Sequence, residues 1–119
     1  MTDAAHMKSV VERYINAIST ENFDDIRDIY ASNGTVEDPV GSPPHEGIEA
    51  IMAFYGAIKG LGVKLSLTGA PRCAGSSVAF PFHAKIGPTT MEVIDVFEFN
   101  SDGKVISMKA YWGPENQHQ

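Results

Sequence analysis

The sequence is poor in cysteine, in positive charge and in long apolar runs. One cysteine among 119 residues excludes an internal disulfide and is compatible with a reducing compartment. Nine Lys and Arg against 15 Asp and Glu give a net charge of -6, which argues against nucleic acid or an anionic membrane as partner. No apolar run approaches the ~20 residues of a membrane span. Residues 1–6 also lack the pattern of a secretory signal, so we expect a cytoplasmic protein.

Motifs for metals and cofactors are missing as well. His6, His45, His83 and His118 are scattered without metal-ligand spacing, and we interpret all four as surface residues. Cys73 has no base near it in sequence and is interpreted as a packing residue. The sequence contains no G-x-S-x-G, phosphate loop or dinucleotide fingerprint. Neither a metal nor a cofactor is therefore predicted.

The length and the 43% apolar content indicate one domain over residues 1–119. Apolar residues at helical spacing predict helices over about 4–19, 23–31 and 48–58. A tyrosine is expected on the inner face of each: Tyr14, Tyr30 and Tyr55.

From Val63 onward the apolar period changes to two, which predicts antiparallel strands over about 63–68, 78–86, 90–99 and 104–112. A short strand opens at Thr35. Pro81 has no amide hydrogen and is expected at an edge or bulge. Helices followed by strands indicate an α+β fold, with the helices on one face of a curved, mostly antiparallel sheet. Ile94, Val96 and Tyr111 leave the opposite face apolar, and a homodimer joined through the sheets would cover it.

The strand over 90–99 carries one carboxyl on an apolar face. Met91, Val93, Asp95, Phe97 and Phe99 alternate with the residues of the other face. Burial disfavours the charged form, so Asp95 is expected to have a raised pKa and to stay neutral, able to donate a hydrogen bond. The alternatives are a buried carboxylate bonded to a backbone amide, or a shifted register that leaves Asp95 at the surface.

Asp38 and the tyrosines are further candidates. Asp38 precedes Pro39 and is therefore extended or in a turn. It is either an ordinary turn residue or a general base at a pocket mouth, partly solvated and ionised at neutral pH. Three converging phenols can be plain core residues bonded to one another. A chain of them ending at Asp95 would instead present two donors to one point, which is an oxyanion hole.

Several short motifs in order resemble the bacterial steroid delta-isomerases (ketosteroid isomerases) of the NTF2-like superfamily. The resemblance covers almost the whole chain. Its motifs lie at residues 13–14, 30–31, 35–41, 43–44, 53–55, 67–69, 81–82, 93–96 and 108–112. The turn over 86–90 is the main departure, since it looks shorter than in those relatives, and this could change the preference among steroids.

The resemblance implies a cone-shaped α+β fold around a deep apolar pocket, usually as a homodimer. It also implies conversion of Δ5-3-ketosteroids to Δ4-3-ketosteroids without a cofactor. Asp38 matches the general base, and Tyr14 and protonated Asp95 match the oxyanion-hole donors. Tyr30 and Tyr55 match the network behind Tyr14. The expected substrate pocket consists of Phe54, Phe80, Phe82, Val93, Met108, Ala110 and Trp112, the last of them beside the base.

Two other functions remain open at this level. An epoxide hydrolase of the same superfamily needs an arginine between two carboxylates, and Arg13, Arg27 and Arg72 all look peripheral. A non-catalytic module that only binds a small molecule or dimerises needs neither a base nor two donors.

Overall fold

The computed structural model describes residues 2–119 and contains three α-helices. They are α1 (Ala4–Ser19), α2 (Phe23–Ile29) and α3 (Ile48–Gly56). Asp3 caps α1 by accepting a hydrogen bond from the His6 amide, and Asn22 caps α2 by accepting one from the Asp25 amide. None of the helices within residues 2–119 has the length and apolarity needed to cross a membrane.

Eight strands and a short 3-10 helix complete the structure. The strands are β1 (Tyr30–Glu37), β2 (His45–Glu46), β3 (Lys64–Leu67), β4 (Arg72–Ala74), β5 (Ser77–Ile86), β6 (Thr89–Phe99), β7 (Val105–Tyr111) and β8 (Gln117–His118). The 3-10 helix is Pro114–Asn116.

The strands form one mixed sheet. Its order is β2-β1-β7-β6-β5-β3, with β4 also pairing with β5 and β8 with β6. Only β1 and β7, among the pairs within residues 2–119, run parallel; the other pairs are antiparallel. The predicted α+β architecture, with three helices on a curved and mostly antiparallel sheet, is confirmed.

The core lies between the helices and one face of the sheet. Strand β6 shows the predicted alternation: Val93, Asp95, Phe97 and Phe99 are buried, while Ile94 and its neighbours on the other face are partly or fully exposed. From the helix side, α1 contributes a buried stripe that contains Tyr14. This alternation aims every second residue of β5, β6 and β7 at the helices, and it therefore positions the site.

The second helix is shorter than predicted. It ends at Ile29, and Tyr30 has extended backbone angles and begins β1, where it pairs with Val105. The prediction of helix to residue 31 was wrong because pairing with β7 overrides the helical spacing of this short segment. Likewise α3 ends at Gly56, two residues before the predicted end, and continues as turns.

Pro81 lies inside β5, between the part that pairs with β4 and the part that pairs with β3. Its carbonyl accepts a hydrogen bond from the Thr68 amide, and the missing amide hydrogen falls where neither neighbouring strand is in register. The expectation of an edge position is thus met locally. The strands β2, β4 and β8 were not predicted, since two or three residues are too short to show a period.

The outer face of the sheet carries exposed apolar side chains. Ile94 is 48% exposed and Tyr111 is 49% exposed, and the two are paired across β6 and β7. Val96 on the same face is half-buried.

Candidate active site

A cavity of about 270 Å³ opens between the helices and the concave face of the sheet. Its wall is apolar apart from two carboxyl groups, two phenols and one indole N–H. The lining residues are Tyr14, Ile18, Asp38, Phe54, Tyr55, Ile58, Val63, Leu65, Phe82, Ala84, Ile86, Met91, Val93, Asp95 and Trp112. A concave, mostly apolar site with a few convergent polar groups is the usual form of a small-molecule site.

Asp95 stands in the driest part of this wall. The residue is 1% exposed, and its Oδ1 atom has no hydrogen-bond partner within residues 2–119. Its cross-strand neighbours are Phe80 on β5 and Ala110 on β7. Burial, and secondarily the negative charge of Asp38, raises the pKa of Asp95 well above its ordinary value. Asp95 is therefore a neutral acid with a proton to donate, and it does not lie at the surface.

Asp38 follows the end of β1 in a turn that is fixed at several points. The Asp38–Pro39 peptide bond is cis. The Val40 amide donates to the Ala110 carbonyl over 2.8 Å, and the Gly41 amide donates to Glu37 Oε2 over 2.8 Å. Gly41 has φ +100°, which favours glycine at this position. The turn thus holds the half-buried Asp38 carboxyl at the cavity.

The environment of Asp38 differs from that of Asp95. Partial burial raises the pKa of Asp38 above its ordinary value, while a hydrogen bond from Trp112 and the charge of His45 lower it. The indole Nε1–H of Trp112 donates to Asp38 Oδ1 over 2.7 Å. A hydrogen bond to a carboxylate favours the ionised form. Asp38 is therefore the carboxyl of the pair that ionises first as pH rises.

Three phenols bond one another beside Asp95. The hydroxyl of Tyr55 is 3.1 Å from that of Tyr14 and 2.6 Å from that of Tyr30. Burial raises the pKa of each phenol well above its ordinary value, so all three are proton donors. Tyr14 and Tyr55 reach the cavity wall, whereas Tyr30 lies behind them. The Tyr14 hydroxyl and the Asp95 carboxyl thus line one cavity.

The structure divides the predicted pocket residues into wall and core. Phe54, Phe82, Val93 and Trp112 line the cavity. Phe80, Met108 and Ala110 lie in the core beside it rather than on its wall. Phe80 packs edge-on against Tyr14 and Phe97 and so helps to keep water from Asp95, its cross-strand neighbour.

Seven wall residues were not among the predicted site residues. They are Ile18, Ile58, Val63, Leu65, Ala84, Ile86 and Met91. The alternation of Leu65, Ala84 and Ile86 with polar neighbours could have placed them on the inner face. Ile86 and Thr89 pair across the two-residue turn Gly87-Pro88, which sets the rim of the cavity.

The interpretation of His45 as a plain surface residue was wrong. Strand β2 pairs with β1 so that His45 lies opposite Val36, a fully buried residue. The imidazole is half-buried and stacks on Phe54 at a centroid distance of 4.6 Å and an interplanar angle of 36°. His83 is half-buried on the outer face, and His6 and His118 are exposed.

The other polar candidates lie away from the cavity. Arg13 pairs with Asp25 and Asp28, both at 2.8 Å, and Arg27 pairs with Glu49. Arg72 is exposed and donates to the Ala70 carbonyl. Cys73 is half-buried with its Sγ 3.9 Å from the Ala4 carbonyl oxygen. Within the described chain, no three His, Cys, Asp or Glu residues come together in a way that could hold a metal ion.

Comparison with known proteins places this geometry in context. Residues 11–108 match the SnoaL-like domain. The chain is 36% identical over 115 residues to a steroid Delta-isomerase from Nocardioides simplex, and the match covers 93% of each chain. A solved structure of the epoxide hydrolase/cyclase-like enzyme SalBIII, which has a role in pyran ring formation in the polyether salinomycin, superposes with a TM-score of 0.90. That match has 27% sequence identity and covers 98% of each chain.

Proposed function

Because the chain belongs to the SnoaL-like domain family, we propose that it is a steroid Δ-isomerase, converting Δ5-3-ketosteroids to Δ4-3-ketosteroids. The similarity to a steroid Delta-isomerase supports this proposal. The observation that carries it is one apolar cavity with two carboxyl groups in opposite environments. Asp38 accepts a hydrogen bond from Trp112, while Asp95 is buried with an unbonded oxygen.

The proposed reaction moves one proton within the substrate. The Asp38 carboxylate removes a proton from the carbon between the ketone and the alkene, and the electron pair of that C–H bond delocalises onto the ketone oxygen. The resulting dienolate oxygen accepts hydrogen bonds from Tyr14 and neutral Asp95. Asp38, now protonated, returns its proton to the γ carbon. Atoms and charge balance without a cofactor.

The electrostatics support these roles. A base has to be ionised at the working pH, and the Trp112 hydrogen bond stabilises the ionised form of Asp38. A donor to a developing oxyanion has to keep its proton, and burial provides this for both Tyr14 and Asp95. The scarcity of polar groups in the wall strengthens each of these interactions, because little water is left to compete.

The Tyr14 hydroxyl is oriented by Tyr55, which is bonded in turn to Tyr30. With Tyr55 donating to Tyr14 and Tyr30 donating to Tyr55, the Tyr14 proton is free to point into the cavity. Hydrogen bonds in such a chain polarise one another. We assign Tyr55 and Tyr30 the role of orienting and strengthening the Tyr14 donor.

An epoxide hydrolase or cyclase is the second candidate, favoured by the high structural similarity to SalBIII. A hydrolase of this superfamily needs an arginine between its two carboxylates. Here Arg13 and Arg27 are engaged in surface ion pairs and Arg72 is exposed. A water molecule that attacks an epoxide would also need both carboxyls polarised toward it, which a neutral and apolar-packed Asp95 does not favour.

The test is turnover of a Δ5-3-ketosteroid, followed by the ultraviolet absorbance of the conjugated enone. We expect rapid enone formation by the wild type and the largest loss of rate in Asp38→Asn, larger than in Tyr14→Phe or Asp95→Asn. Near-normal turnover by purified Asp38→Asn would rule out the assignment of the base. Binding of a phenolic steroid without any turnover would support a non-catalytic binding module instead.

We also propose that the protein is a homodimer joined through the outer sheet face. The exposed and mutually paired Ile94 and Tyr111 support this, because apolar side chains in a contiguous patch are the usual core of an interface. Sedimentation of the wild type should give twice the chain mass, and Ile94→Lys should shift the population toward the monomer. A wild type that is monomeric at all concentrations would contradict the proposal.

A further inference from the structure

The imidazole of His45 is brought to the catalytic cavity by the shortest strand pairing in the sheet. The β1–β2 register puts His45 opposite Val36. Cross-strand partners share a face, so the imidazole lies on the inner side, where Val36 is completely buried. Asp38 follows Val36 by two residues and lines the cavity. The histidine and the proposed base therefore approach the same region from adjacent segments.

Phe54 holds the imidazole in this place. Its ring stacks on His45 at 4.6 Å and also lines the cavity together with Asp38. The edge of Phe54 contacts Tyr55, so the stack is supported by the phenol network. Stacking against a fixed aromatic ring restricts a half-buried side chain to few rotamers, and this keeps its charge at a constant position relative to Asp38.

Few other charges compete at this position. Glu37 lies between Val36 and Asp38, points to the other face and accepts a hydrogen bond from the Gly41 amide. Glu46, next to His45 on β2, is exposed. From α3 the packed residue is the uncharged Phe54, and Glu49 on that helix pairs with Arg27. Trp112, on the β7 side, is a neutral donor to Asp38.

We propose that His45 is a positioning residue that regulates the base: its imidazolium form stabilises the Asp38 carboxylate and keeps it ionised as the medium becomes acidic. Histidine is the side chain that ordinarily changes charge between pH 5 and 8. Its positive charge acts to lower the pKa of Asp38, opposing the effect of burial. The effect on rate rests on the proposed isomerase function, whereas the coupling of the two groups is a property of the fold.

Two substitutions separate the charge of His45 from its packing. His45→Phe keeps an aromatic ring against Phe54 and removes the charge. His45→Arg keeps a positive charge at every pH and can stack on the same ring. The matched control is His83→Phe, which replaces a half-buried histidine on the outer face of β5.

The direct readout is the titration of the Asp38 carboxyl carbon by NMR in protein labelled with carbon-13 aspartate. The Asp38 resonance is the one that disappears in Asp38→Asn. We expect its midpoint to move to higher pH in His45→Phe, to stay in place in His83→Phe, and to lie at or below the wild-type midpoint in His45→Arg. An unchanged midpoint in His45→Phe, or an equal shift in His83→Phe, would overturn the inference.

The rate gives a second readout that separates this inference from the proposed function. In His45→Phe, kcat/KM at pH 5–6 should fall roughly two- to fivefold, the size expected for a partly exposed charge pair, and should match the wild type near pH 8.5. If the wild type turns over steroid but the Asp38 midpoint is insensitive to His45, the inference fails and the function stands. If the midpoint shifts but no steroid is turned over, the function fails and the coupling stands.

Discussion

Trp112 and Asp38 are joined by a 2.7 Å hydrogen bond from the indole N–H to the carboxylate Oδ1. The two residues follow the ends of β7 and β1, which pair in parallel with Glu37 opposite Lys109. Parallel pairing therefore delivers both side chains to the same end of the sheet. This geometry fixes the proposed base and favours its ionised form at the same time.

The first prediction concerns this bond. Trp112→Phe keeps an aromatic ring but removes the donor, so kcat/KM should fall about tenfold, as for the loss of a hydrogen bond to a charged group. Because the bond lowers the pKa of Asp38, the acidic limb of the pH–rate profile should also move to higher pH. An unchanged profile would contradict the role given to Trp112.

The second prediction compares two phenols of the network. Tyr14→Phe removes a proposed oxyanion-hole donor and should lower kcat by ~10²–10³. Tyr30→Phe removes only the hydroxyl behind Tyr55 and should cost far less. Steady-state kinetics of both purified variants measures the difference. Equal losses would show that Tyr14 acts through packing rather than as a donor.

The third prediction concerns Glu37, whose carboxylate holds the turn that carries Asp38 through the Gly41 amide. Glu37→Ala removes the acceptor and should lower kcat several-fold and the free energy of unfolding by about 1 kcal/mol. Glu37→Gln retains an acceptor oxygen and serves as the control, with near wild-type values expected. Urea unfolding and turnover of the three proteins measure the two effects. A Glu37→Ala protein that matches Glu37→Gln would refute the positioning role.

How much of this site could be predicted from sequence depends on the length of the element that carries each residue. Asp95 was placed correctly because β6 is 11 residues long and alternates over its whole length. His45 was missed because its strand has two residues and shows no period. Tyr30 was given to a helix because the sequence cannot show the pairing with Val105 that ends it.

Depth along a face was not accessible from sequence either. Phe80 and Phe82 are two residues apart on β5 and point to the same side, and the alternation predicts both as inward. Only Phe82 lines the cavity, while Phe80 lies in the core among Tyr14 and Phe97. Which of two inward residues reaches a cavity depends on the helices that cover the sheet.

The fourth prediction concerns stability and pH. The folded-state pKa of Asp95 is raised well above the unfolded value, so above the unfolded value and up to the folded one the native state binds more protons than the unfolded state. The free energy of unfolding should therefore fall as pH rises through this window, by at most about 1.4 kcal/mol per pH unit. Asp95→Asn lacks this proton and should show a smaller fall between pH 5 and 7 in urea unfolding. An identical pH dependence in the two proteins would mean that Asp95 is ionised in the native state.

The central claim is that one carboxylate, Asp38, carries one proton between two carbons of the substrate inside an apolar cavity. The most direct measurement uses a Δ5-3-ketosteroid carrying deuterium at the carbon between the ketone and the alkene, turned over in ordinary water. The account predicts that mass spectrometry and NMR of the product find a substantial part of the deuterium at the γ carbon. Complete loss of the deuterium to water from the wild type, or equal transfer by Asp38→Asn, would contradict the account.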